Sequence, residues 1–251
     1  MQDSPKDLIY SRPQEKVADF QFDETVTEVF PDMIQRSIPG YNTILDGIGQ
    51  LAKHYIQPNT NVYDLGCSLG AASLAVRRYN SEKGVQIVAV DNSESMIERC
   101  KLHLSAFKSE TQFTTLHQDI LDTNINNASV VIMNFTLQFI APEKREAMLQ
   151  KIHDGLLPGG VLILSEKLRH PTQHGDERLI DLHHEYKRRN GYSELEISQK
   201  RNALENVMKI DTFNIHEERL NSVGFSDVTL WFKCFNFCSM FAVKPSTQAT
   251  K

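Results

Sequence analysis

The chain has 251 residues, of which 40% are hydrophobic and 24% charged, with a formal net charge of -5. These values fit a soluble globular protein with room for one large domain. They disfavour a protein that clamps nucleic acid by itself, because such proteins carry a basic excess or stripe. No apolar run approaches the roughly 20 residues that span a bilayer, and the opening MQDSPKDLIYSRPQEK has no apolar signal-peptide core. The expectation is a cytoplasmic protein that does not enter the membrane. The four cysteines, Cys67, Cys100, Cys234 and Cys238, match no zinc spacing. They are expected to be reduced, with Cys234 and Cys238 in the core and no metal bound.

Residues 1–20 are polar with scattered prolines and read as a flexible arm; residues 21–251 read as one α/β domain. From Phe20 to Ile56 apolar residues recur at threes and fours, as at Ile44, Ile48, Leu51 and Tyr55. Pro31 and the Pro39–Gly40 pair are expected to break this helical stretch into short pieces. Five strand-like runs follow: NVYDLG, VQIVAVD, QFTTLHQD, SVVIMNF and GVLILSE. Three are almost continuously apolar, as in parallel strands covered on both faces. Between them lie amphipathic helices, one with Ile97, Cys100, Leu104 and Phe107 on a single face, another with Met148, Ile152 and Leu156 after Pro142. This alternation predicts a doubly wound, mostly parallel sheet. A polar, helix-prone insertion occupies about 168–209, and SDVTLWFKCF and NFCSMFAVKP, joined tightly around Asn236, predict a C-terminal antiparallel hairpin.

The stretch VYDLGCSLGAASLAV, residues 62–76, runs from a buried strand through a glycine-bearing turn into a small-residue helix. Gly66 permits a tight turn and lets a ligand approach the backbone. Gly70 lets the next helix pack close, while Ser68 and the helix N-terminus offer donors to a carboxylate. The loop lacks the second glycine of a dinucleotide fingerprint, and no G-K-[ST] of a P-loop follows. Asp91, ending the second strand, can accept both ribose hydroxyls of a nucleoside. Asp119, ending the third, can accept from an adenine amino group while the Ile120 N–H reaches a ring nitrogen. Taken singly, each aspartate also fits a turn or helix start. Asn134 ends the fourth strand and points into the same crevice, or else stabilises a turn. Tyr41 follows the Pro39–Gly40 break and reads either as part of a lid or as an aromatic packed at a helix start. His183 and His184 lack metal-ligand spacing and read as a solvated helix surface.

The segments FDETVTEVFPDMIQRSIPGY (22–41) and NGYSELEISQKR (190–201), with VYDLGCSLGAASLAVRR and VDNSESMIERC, closely resemble the bacterial carboxy-S-adenosyl-L-methionine synthases. The resemblance runs from about residue 20 to 244 and includes Ser68, where common methyltransferases carry glycine. It implies a class I methyltransferase-like (Rossmann-like) fold with helical N-terminal and inserted segments. It also implies that S-adenosyl-L-methionine and prephenate are converted to carboxy-S-adenosyl-L-methionine and phenylpyruvate. The family is homodimeric, uses no metal, and passes its product to a tRNA carboxymethyltransferase acting on the wobble uridine. By resemblance, Tyr41, Gly66, Cys67, Ser68, Asp91, Asn92, Asp119, Ile120, Asn134 and Arg201 contact the sulfonium nucleoside. Arg201 and Tyr41 would sit closest to the chemistry, with Arg201 offering paired donors to the new carboxylate. Arg36, Lys200 and Arg201 are candidates for the prephenate carboxylates. An ordinary methyltransferase and a non-catalytic cofactor-binding partner in tRNA modification are the competing readings, since fold alone does not set function.

Overall fold

Each apolar run becomes a strand because both of its faces find cover. The computed structural model describes residues 5–246. Its sheet has seven strands: β1 (Asn61–Leu65), β2 (Gln86–Asp91), β3 (Gln112–His117), β4 (Ala128–Asn134), β5 (Leu156–Lys167), β6 (Ser226–Cys234) and β7 (Phe237–Val243). Their order is β3-β2-β1-β4-β5-β7-β6. The first five strands are parallel, and β7 pairs antiparallel with both β5 and β6. The expected hairpin is therefore present, turning at Phe235 (φ 52) and Asn236.

Alternate residues of β4 serve opposite faces, as the pleat requires. Val130 and Ile132 pack with Ile44, Ile48, Ala52 and Val76, whereas Val131 and Met133 pack with Met148, Leu149, Ile152 and Leu220. The helices supplying the first face are α2 (Tyr41–Tyr55) and α3 (Ala71–Tyr79). Those supplying the second are α5 (Pro142–Gly155) and α8 (Phe213–Ser222). Helix α1 (Glu24–Ser37) precedes α2, α4 (Glu94–Ala106) follows β2, and the insertion forms α6 (Gln173–Arg189) and α7 (Glu194–Glu205). A reciprocal cap between Ser193 and Glu196 starts α7.

Four expectations need correction. Pro31 does not break the first helix: α1 runs through it. Buried Phe30 and Met33 pack against Leu69 and Met96, and this burial outweighs the one backbone bond a proline forfeits. The break falls only at Gly40 (φ 74). The flexible arm is, over its described part, anchored. Asp7, Tyr10 and Phe20 are buried, and Gln199 on α7 accepts from the Gln14 N–H (2.8 Å) and donates to the carbonyls of Tyr10 and Arg12 (2.9 Å each). Residues 1–4 of that arm, and 247–251 at the other end, lie outside the described residues. Of the two hairpin cysteines, Cys238 is buried but Cys234 is only half-buried, because β6 is an edge strand. His183 is buried rather than solvated, as its place on α6 against β7 requires; its Nε2 donates to the Ser37 carbonyl at 2.8 Å.

Glu166 on β5 is also buried, with Oε1 lacking any partner among the described residues. Burial pushes its carboxyl up to about 8, and the Arg145 guanidinium and the N–H groups of Gln138 and Leu137 offset this only in part. Between the ordinary value of 4.5 and about 8 the folded state holds more protons at this site than the unfolded state. Its contribution to stability is therefore complete at acid pH and lost as pH rises through that window, by at most about 1.4 kcal/mol per pH unit. Glu166→Gln is expected to be more stable than the parent above pH 8 and to converge with it near pH 5. Melting temperatures across that range check this; parallel curves would mean that Glu166 is already ionised.

Candidate functional site in the crevice at the strand ends

The carboxyl ends of the parallel strands open onto one crevice, the usual ligand position in such sheets. The loop after β1 is tied to the end of β2, because the N–H groups of Gly66 and Cys67 both donate to the Val90 carbonyl (2.8 and 2.9 Å). Gly66 has φ 76, and a Cβ there would lie 2.5 Å from the Thr136 side chain, so only glycine fits without displacement. Gly70 repeats the argument at the start of α3, where a Cβ would lie 2.8 Å from Cys100 Sγ. Ser68 is a non-glycine residue at φ 47. The turn holds because its N–H donates to Asp91 Oδ2 at 2.9 Å.

Asp91 is buried, and its second oxygen accepts from the Ser93 N–H, also at 2.9 Å. Burial raises its pKa, opposed by these backbone bonds. Each oxygen keeps a further lone pair for an incoming hydroxyl. Beneath the loop, Asp64 accepts from the Ser73 N–H (3.0 Å) and hydroxyl (2.7 Å), while burial pushes its carboxyl up to about 6. Tyr41, at the first turn of α2, is half-buried; burial first, then the nearby Asp64 charge, raises its hydroxyl pKa, so it remains a proton donor at neutral pH.

Asn134 ends β4 with its Oδ1 buried and unpartnered among the described residues. Asp119 lies just beyond β3, exposed, and bends the chain by accepting from the Leu121 N–H at 2.8 Å. Ile120 beside it is buried with Leu65 and Val90. Asn92 is exposed, its carbonyl paired with His117 Nε2 at 3.1 Å. The loop, Asp91, Asn92 and Asp119–Ile120 thus line the ends of adjacent strands, with Asn134 across β1 from them. Arg201 stands apart on α7, exposed and without an ion pair among the described residues. It is near enough to Lys167 and His184 to lower their pKa values.

The entry to α1 roofs one side of this crevice. Phe22 packs edge-on against Phe139 (5.4 Å between ring centres), and its carbonyl accepts from the Ser93 hydroxyl at 2.6 Å, two residues from Asp91. Tyr10, Phe20 and Phe30 share a cluster with Leu69 of the loop and Met96 of α4.

Sequence reasoning did not single out Lys167, at the strand-end side of this site, or Lys187, which is near enough to Lys167 and Lys200 to be repelled by them. Lys167 ends β5 and follows the same strand-end rule that singled out Asn134. Lys187 is one helical turn from His183, a relation visible only once His183 is known to face inward. Of the expected co-substrate cations, Lys200 is buried beside Asp7 (3.5 Å). Arg36 is already engaged by Asp32 (3.0 Å), the Asn190 carbonyl (2.7 Å) and the Tyr192 ring (3.9 Å).

Residues 62–160 match a family described as a methyltransferase domain. The architecture is shared with an O-methyltransferase family protein from Burkholderia thailandensis (TM-score 0.65, 14% identity, 90% of this chain and 62% of that one). It is also shared with human N-acetylserotonin methyltransferase in complex with SAM (TM-score 0.59, 17% identity, 89% and 56%). At such identities the likeness shows the fold alone. Two relatives, each called carboxy-S-adenosyl-L-methionine synthase, are far more similar. That from Pseudoalteromonas atlantica is 60% identical over 96% of this chain and 99% of its own, and that from Vibrio cholerae is 58% identical over 96% and 98%. Likeness at this level reaches well beyond the shared methyltransferase domain to the roof and the inserted helices, and it places the chain in the carboxy-S-adenosyl-L-methionine synthase family.

Proposed function

We propose that this chain transfers the carboxyl group of prephenate to S-adenosyl-L-methionine, forming carboxy-S-adenosyl-L-methionine, phenylpyruvate and water, as a cytoplasmic homodimer. A tRNA carboxymethyltransferase then uses the product at the wobble uridine. The observation that carries this reading is the 60% identity to a synthase of that name over nearly the whole of both chains. The crevice suits the substrate: Asp91 accepts the ribose hydroxyls, Asp119 and the Ile120 N–H read the adenine edge, and the Gly66–Ser68 turn receives the aminoacyl end. Asn134 and Tyr41 then border the sulfonium, with Cys67 and Asn92 completing the nucleoside contacts.

Sulfonium charge acidifies the adjacent methyl group. Prephenate aromatises as it loses carbon dioxide and its ring hydroxide. The hydroxide takes a methyl proton to give water, and the resulting ylide carbon attacks carbon dioxide to form the new C–C bond. Water would quench the ylide, so the aromatic roof over the crevice serves the chemistry by exclusion. No side-chain base is required, because the departing hydroxide takes the proton.

Mass spectrometry of the small molecules formed from S-adenosylmethionine and prephenate tests the reading. The expected product exceeds the cofactor by one carboxyl group; no such product, or S-adenosylhomocysteine formed with a methyl acceptor, would overturn it. Arg201→Ala is expected to weaken carboxylated-product binding about tenfold to a hundredfold, the loss of charge-assisted bonds. S-adenosylmethionine binding should stay within about twofold, as the methyl form offers Arg201 no new carboxylate. Titration calorimetry with both ligands checks this, and equal weakening would remove Arg201 from that role.

A further inference from the structure

The inserted helices bury more positive charge than they neutralise. Lys187 on α6 and Lys200 on α7 are both buried, and Lys167 lies half-buried at the end of β5. Among the described acids, Asp7 approaches Lys200 at 3.5 Å and is shared with the Tyr192 hydroxyl at 2.6 Å. Asp176 attracts Lys167, and Asp7 attracts Lys187, each from beyond ion-pair distance. Lys187 and Lys167 form neither an ion pair nor a side-chain hydrogen bond with any described residue. His183 between them adds no charge, because burial and the neighbouring lysines push it down to about 2 and its Nε2 proton is committed to Ser37.

The cluster borders the crevice. The Phe237 ring packs on His183 (4.8 Å) and on Phe135 (6.0 Å), and lies 5.9 Å from Lys167 Nζ. Phe135 directly follows Asn134, and Asn134 and Ser165 are partners in adjacent strands. Lys167 therefore stands two residues beyond the strand position opposite Asn134. Its backbone is fixed there by Gln138, whose Oε1 accepts from the Lys167 N–H at 2.9 Å. A buried cation without a close ion pair is costly; burial, with Lys200 and Lys167 repelling Lys187, pushes Lys187 down to about 7, and burial pushes Lys167 to about 8. An arriving anion would offset that cost.

We infer that Lys167 and Lys187 form the carboxylate-binding subsite for the co-substrate, a small dicarboxylate, with Lys200 held behind them by Asp7. The inference rests on the proposed reaction in that it needs a co-substrate carrying two carboxylates. Lysine suits the task because its compact ammonium can follow a carboxylate that rotates as the ring aromatises, whereas a guanidinium fork fixes one plane.

The test uses the full chain with Lys167→Met and Lys187→Met, which keep the aliphatic stems. Three quantities are read: the KM for prephenate, the Kd for S-adenosylmethionine, and the melting temperature with and without malonate as a plain dicarboxylate. The expected result is a prephenate KM raised about tenfold or more in each variant, the loss of one charged contact, with cofactor affinity within about twofold. The ligand-free Lys187→Met protein should melt no lower than the parent, since an unpaired buried charge is gone. It should also lose the stabilisation that malonate gives the parent. Unchanged KM in both variants, or melting temperature and cofactor affinity falling together with KM, would overturn the subsite. If the parent forms no carboxylated product, the proposed reaction fails. A malonate shift present in the parent and absent in Lys187→Met would still support the subsite, and its absence from both would overturn it.

Discussion

Arg145→Met is expected to lower folding stability by about 3–5 kcal/mol, the range for removing one member of a buried ion pair. Arg145 is wholly buried, and its guanidinium serves four acceptors: Asp211 Oδ2 (2.7 Å) and the carbonyls of Ile140 (2.9 Å), Gln138 (3.3 Å) and Lys209 (2.7 Å). It thus fastens the turn after β4 to the end of the insertion. Methionine fills much of the space but takes the side-chain donor from the Ile140 and Lys209 carbonyls and removes the cation that restrains Glu166, while Asp211 keeps Arg219 (2.9 Å) and the Gln138 carbonyl keeps the Lys209 N–H (2.9 Å). Arg145→Lys should recover little, because a single ammonium cannot reach four acceptors in a plane. Urea unfolding of both variants decides the matter, and a loss below about 1 kcal/mol, the scale of an ordinary hydrogen bond, would show that the network is dispensable.

Asp91→Asn is the second large effect, and it falls on binding rather than folding. In the parent the two carboxylate oxygens each accept one backbone N–H, from Ser68 and from Ser93. An asparagine must turn its amide nitrogen toward one of those N–H groups. It also loses the charge that would accept the ribose hydroxyls. Together these changes are expected to weaken S-adenosylmethionine binding by about a hundredfold or more, the value of one or two charge-assisted bonds. The ligand-free protein gains from losing a buried charge what it loses in loop contacts, so its melting temperature should change little. Calorimetric titration reads the affinity, and a change under tenfold would remove Asp91 from the nucleoside contacts.

The parts of this protein legible in its sequence are those fixed by local pattern. Near-continuous apolar runs located β2, β4 and β5. Gly66 and Gly70 announced a turn in which a Cβ would collide with Thr136 or Cys100, although the colliding partners are distant in sequence. The strand-end rule correctly put Asp91 and Asn134 at the ends of β2 and β4. What escaped depends on neighbours that only the fold supplies. Residues 1–20 looked loose because Gln199, whose amide holds Tyr10, Arg12 and Gln14, lies far along the chain. Pro31 looked like a break because the burial of Phe30 and Met33 was not visible. His183 looked solvated, and Lys187 went unremarked, because a helix rich in charges hides an inward stripe when that stripe is itself polar. The family segments 22–41 and 190–201 drew attention to α1 and α7, but Lys167 and Lys187 lie outside both.

Because the roof over Asp91 is continuous with residues 7–20, which are held by buried Tyr10 and Phe20 and by the Gln199 bonds rather than by the sheet, its opening has the character of local unfolding rather than of hinge rotation. Local unfolding of a peripheral segment draws on the low end of a protein's spectrum of unfolding free energies. The lifetime of whatever lies beneath Phe22 is then set by the stability of a short peptide segment, largely independent of the global stability carried by the sheet. Mild denaturant, far below the unfolding midpoint, should accordingly speed ligand exchange while amides in β4 stay protected.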